Sequence, residues 1–114
     1  MAYLEWNLRG DVHELARHID RVITGGSITA KLEARSERVV GDARMIVLAF
    51  ERYSMIGGNR LGLTFSLLAV GQEIAATAVT AGGSEALFFK INTFGEEAFL
   101  AHAERAFSSF NPGG

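Results

Sequence analysis

The apolar residues of this chain change their period along the sequence. From Val12 to Ile23 they recur every three or four residues, at Val12, Leu15, Ala16, Ile19, Val22 and Ile23. That spacing draws one stripe along about three turns of helix. From Ser27 to Asn92 the repeat drops to two, and from Thr93 onward spacings of three and four return. Side chains alternate across a strand but share a helix face about every 3.6 residues, so the pattern demands a block of strands between two helices. Tyr3 to Leu8 also alternates, which places a short strand ahead of the first helix. A chain of 114 residues is long enough for one domain, 1–114, with one modest core.

Local signals set the boundaries. Asp11 is a good N-cap for the first helix, with Glu14 placed for a capping box. Gly25-Gly26 predicts a left-handed C-terminal cap. In the strand block, Ile28, Ala30, Leu32 and Ala34 alternate with Thr29, Lys31, Glu33 and Arg35, the pattern of a strand with one wet face. Ile46, Leu48 and Phe50 share a face, as do Leu61, Leu63, Phe65 and Leu67. Turn signals fall at Gly41-Asp42, Gly57-Gly58-Asn59, Gly71 and Gly82-Gly83. A further run, Ile74 to Ala81, is one more strand, and 86–92 reads as a sixth strand or as none. Thr93 and Glu96 open the last helix, whose stripe is Phe99, Ala103, Ala106, Phe107 and Phe110.

The order is β-α-β-β-β-β-(β)-α. The expectation is an α+β domain: an antiparallel meander of five or six strands with both helices packed on one face. This order looks like the TATA-binding-protein-like and helix-grip group of folds, a likeness of architecture that carries no function.

Composition removes many functions. The chain has no cysteine, which excludes disulfide scaffolds, thiolate metal sites and thiol nucleophiles. Eleven basic against thirteen acidic residues give no electrostatic footprint for nucleic acid. The longest apolar stretch, Leu61 to Val70, is too short to cross a membrane as a helix. No basic segment precedes an apolar run at the start, so the expected compartment is the cytoplasm. His13 and His18 lie five apart and diverge around one helix, so with His102 they do not read as metal ligands. Gly82-Gly83-Ser84 lacks the spacing of a phosphate loop. No cofactor is expected.

Two places carry functional candidates. The segment around the Gly57-Gly58-Asn59 turn holds Arg52, Tyr53, Met55, Ile56, Asn59 and Arg60, large and cationic side chains of the kind interfaces favour. Arg52 and Arg60 are placed to lie close together across the two strands. The bland account folds Met55 and Ile56 back over the sheet end and pairs Glu51 with an arginine. The second place is the alanine-rich run from Ile74 to Ala81. Alanine is a poor strand former and leaves volume free. Either a helix approaches closely there, or a cavity opens between Ala76, Ala78 and the last helix, rimmed by Phe99, Phe107 and Phe110.

Several strings together carry a resemblance: Glu51-Arg52-Tyr53-Ser54 with Gly57-Gly58-Asn59-Arg60, Gly82-Gly83-Ser84, and the run from Phe88 to Phe99. On these the chain resembles a family of small bacterial proteins known only as a domain of unknown function, over nearly its whole length. The resemblance implies a stand-alone cytoplasmic domain and brings no activity, substrate or catalytic residue. Two readings remain in competition. The first is a non-enzymatic binding module that self-associates, with a homodimer as the simplest case, through a sheet edge or the hairpin tip. The second is a carrier of a small apolar ligand between the sheet and the last helix. A hydrolase or isomerase using Tyr53, Arg52 or Lys90 lacks a base–nucleophile pair and ranks below both.

Overall fold

Alternation becomes architecture through two short turns. In the computed structural model, which describes residues 2–26, 29–53, 60–82 and 89–111, β2 (Lys31–Val40) turns into β3 (Ala43–Tyr53) through Gly41-Asp42. β4 (Arg60–Val70) turns into β5 (Glu73–Gly82) through Gly71-Gln72. Gly41 and Gly71 have φ of +56° and +61°, and no described non-glycine residue has positive φ. A left-handed first position followed by an ordinary second one is the pattern of a type II′ turn, whose twist suits an antiparallel hairpin.

Five strands form one antiparallel sheet in the order β1-β5-β4-β3-β2. β1 (Ala2–Arg9) pairs with β5, from Ala2 opposite Thr80 to Arg9 opposite Glu73. The chain therefore leaves one edge of the sheet and resumes at the other, and α1 (Val12–Gly25) makes the crossing. Asp11 caps that helix as its sequence predicts, its carboxylate accepting from the backbone N–H groups of His13 and Glu14. The helix ends differently from the expectation. Gly26 is right-handed, at φ −92°, and its value lies in space: a Cβ there would stand 2.9 Å from Nδ1 of His102.

The last helix, α2, runs Phe89–Ser108. Residues 89–92 are thus helical rather than a sixth strand, and Thr93 lies inside the helix instead of capping it; 86–88 lie outside the described residues. In the sequence, Ile91, Phe94 and Ala98 already keep spacings of three and four, so the helical period starts before Thr93.

Both helices cover one face. α1 lies against β2, β3 and β4, while α2 lies against β4, β5 and β1. Leu15, Ile19 and Ile23 of α1 and Phe99, Ala103 and Phe107 of α2 meet Ile46, Leu48, Phe50, Leu63, Phe65 and Leu67 in a single core. Phe65 stands at its centre, edge-on to Phe50 at 5.8 Å and to Phe107 at 5.5 Å. Thr80, the one buried polar side chain among the described residues, bonds the N–H and the carbonyl of Ala2 and so closes the β1–β5 pair.

One irregularity redirects β2. Its register with β3 slips between Leu32 and Ala34, a bulge at Glu33. The slip moves Ala34 off the helix side, contrary to the plain alternation expected of that strand, and turns Arg35, Glu37 and Val39 toward it.

Candidate interaction surfaces

The end of the sheet where β3 leaves and β4 returns holds the first set of sequence-derived candidates. Tyr53 lies directly opposite Arg60, and Arg52 opposite Leu61. Arg52 and Arg60 therefore project from opposite faces of the sheet instead of meeting across the strands. Met55, Ile56 and Asn59 lie outside the described residues.

Arg60 engages its neighbours fully. It donates to Oε1 of Glu51 at 3.1 Å and to the Tyr53 hydroxyl at 2.9 Å, with its guanidinium 5.0 Å from the Tyr53 ring centre. The Tyr53 hydroxyl bond, followed by the nearby charge, raises the Arg60 pKa further. Arg52 sits 4.5 Å above the Phe99 ring, and partial burial lowers its pKa without removing its charge. An open cleft of about 390 Å³ lies here, lined by Thr29, Lys31, Glu33, Glu51, Arg52, Tyr53 and Arg60. Its walls mix both signs of charge, so it is a poor receptacle for a simple anion or an apolar molecule.

The second set lies between sheet and helix. Ala76, Ala78, Phe99 and Phe107 are buried in the core, and Phe110 packs at its margin, 5.6 Å from the His18 ring. α2 lies against β5, where Ala76 and Ala78 are buried in the same core as Phe99 and Phe107.

A third region escaped the sequence reading. Among the described residues no helix covers the outward side of the sheet. Six of the seven large hydrophobic residues exposed among those described lie there: Tyr3, Val40, Met45, Tyr53, Leu68 and Val70. Four of them gather at the turn end. Val70 faces Ala43 across β4 and β3, Ala43 faces Val40, and Met45 faces Leu68. Val40 is 80% exposed, Val70 53%, Leu68 42% and Met45 39%. Along the three central strands the outward residues Ala43 to Ala49, Gly62 to Val70 and Ala75 to Ala81 carry no charge. Charges stand at the rim, as Glu5, Arg38 and the Arg9–Glu73 pair at 3.2 Å. The sequence held a signal for this patch. Met45, Leu68 and Val70 are apolar at the phase where an outward residue should be polar.

On the helix side, the bulge brings Glu37 into a cluster. It bonds Nε2 of His13 at 2.8 Å and Arg35 at 3.0 Å, and it also pairs with Arg44. These partners, His13 first, hold its carboxyl at about 2. The cluster ties the start of α1 to β2 and β3, and it accounts for His13. His18 bonds the Ser109 hydroxyl at 2.8 Å. Among the described residues no three metal-ligating side chains converge.

Residues 1–111 match the model of DUF6054, a family of unknown function, and the chain belongs to that family. No curated protein and no solved structure matches it.

Proposed function

We propose that this member of a family without an assigned activity is a non-catalytic interaction module that self-associates through the uncovered face of its sheet. One observation carries the reading: Val40, Met45, Leu68 and Val70 form a contiguous exposed apolar patch at the turn end of that face. Single exposed hydrophobic residues are ordinary, but a cluster rimmed by charge marks an interaction surface. Burial of such side chains contributes roughly 25 cal/mol per Å² of apolar area, which is the driving force for association.

Two polar groups of the hairpin-end cleft are held by internal bonds. Its Tyr53 hydroxyl and Glu51 carboxylate are committed to Arg60, and general acid–base work needs such groups aimed at a substrate. In the residues searched, no helix is long and apolar enough to cross a membrane.

The test is native mass spectrometry and light scattering on the purified protein beside Leu68→Lys. The expected result is an oligomer, a dimer in the simplest case, that becomes monomeric in the variant while its circular dichroism stays unchanged. A wild-type monomer at all accessible concentrations would overturn the proposal.

A further inference from the structure

Resting on that reading, we infer that the occupant of the open face is a second copy of this chain, stacked face to face about a twofold axis parallel to the strands and passing over β4. β4 is the central strand of five, so this axis lays β5 over β3 of the second copy and β1 over its β2. Each residue level of the sheet then meets the same level of the other copy.

Side-chain sizes fit this placement. Along the axis, Leu68 meets Leu68 and Val70 meets Val70, so the two apolar patches overlap at β4, while Val40 at the edge comes over Arg9 of the other copy. Beside it, Met45 of one copy comes over Ala75 of the other, which shares its level through Leu68. At the rim, Tyr3 comes over Ala34, its level partner through Val79, Thr64 and Ala49. At these two places a large residue meets a small one, as interdigitated sheets require.

Charge decides between the axes. With the axis along the strands, Glu5 faces Ser36 of the second copy, with Arg38 one pair further along that strand. An axis across the strands through the middle of the sheet would set Glu5 over Glu5. It would also move the patch onto the level of Thr64 and Ala34. Like charges in apposition oppose such a pairing. The face is large enough for a modest dimer. Five strands roughly 4.8 Å apart and eight residues of about 3.3 Å rise present on the order of 600 Å² per copy. That sits at the lower edge of stable interfaces, so the dimer is expected to exchange rather than to be permanent.

The absence of cysteine makes the arrangement directly measurable. Glu5→Cys and Ser36→Cys place single thiols at one level, on exposed, outward positions of β1 and β2. They are treated alone and mixed with a bismaleimide whose spacer is roughly 10 Å, the spacing of packed sheets. The expected result is a covalent dimer several-fold more abundant in the mixture than in either variant alone. In this arrangement the two copies of β1 lie about 19 Å apart laterally, out of the reagent's reach. Efficient cross-linking of each variant to itself would overturn the axis while leaving self-association intact. A native dimer that cross-links in neither experiment would move the interface off this face and overturn the inference. A wild-type monomer by native mass spectrometry would overturn the inference together with the reading beneath it. Tyr3→Cys with Ala34→Cys repeats the experiment at the next level if either first variant misfolds.

Discussion

At the hairpin end of the open sheet face, Arg60 donates to both Tyr53 and Glu51. At the turn end of the same face, Val40, Met45, Leu68 and Val70 are exposed to solvent, with no described residue laid over them. Strands β3 and β4 build both ends, so backbone geometry does not separate them. The difference is in side-chain chemistry. A hydrogen-bonded polar group gains little by meeting a partner, because it must first give up water and existing bonds. An exposed apolar group gains from any partner that excludes water. Charged residues drew attention to the hairpin end in the sequence, yet the physical incentive to associate lies at the other.

Four changes would break or sharpen this contrast. The largest effect is expected where β4 turns inward. Phe65→Ala removes the ring that Phe50 and Phe107 meet edge-on and should cost about 3–5 kcal/mol in urea unfolding. A loss below 1 kcal/mol would mean that the covered face is no better packed than the open one. Next comes Met45→Glu at the turn end. It should weaken self-association by about 30-fold or more, a hot-spot effect of about 2 kcal/mol, read by sedimentation at several concentrations. The monomer's own unfolding should barely move. Equal loss of monomer stability would recast the patch as core.

The third change concerns acid. Glu37 is held at about 2 in the folded chain against an ordinary 4.5. Because the folded value is the lower one, this group stabilises the fold above about pH 4.5, and that contribution disappears as pH falls toward 2. Glu37→Gln should remove the contribution at pH 7 and flatten that limb of the stability curve, measured as urea midpoints between pH 7 and pH 2.5. Parallel curves for both proteins would show that the cluster with His13, Arg35 and Arg44 is merely superficial. The smallest effect is expected at the hairpin end. Arg60→Ala breaks exposed pairs and should cost at most about 1 kcal/mol, with the oligomer mass unchanged. A change in mass would return the interface to where the sequence first placed it.

Much of this molecule was readable before its coordinates. The Asp11 cap, the α1 stripe, the two glycine turns and the inward residues of β3, β4 and β5 follow from short-range rules, and each holds. What resisted reading is non-local or aperiodic. The neighbouring of β1 and β5 depends on pairing across more than sixty residues, which no local pattern encodes. The bulge at Glu33 leaves the alternation of β2 intact in the sequence while reversing its faces in space. In the stretch Leu61 to Val70, Leu67-Leu68 broke the alternation but read as one more apolar run. Its outward Leu68 and Val70 are half of the patch.

The pairing of the first strand with the last has a consequence in time. During synthesis β1 emerges before every residue it will bond, and its partners between Glu73 and Thr80 follow 64 to 78 positions later. At about 5–20 residues per second, that is a wait of several seconds. The β2–β3 and β4–β5 hairpins close over short loops and need no such delay. Loop-closure entropy therefore favours a meander with β5 as its edge before β1 joins, fastened where the Thr80 hydroxyl takes both backbone groups of Ala2.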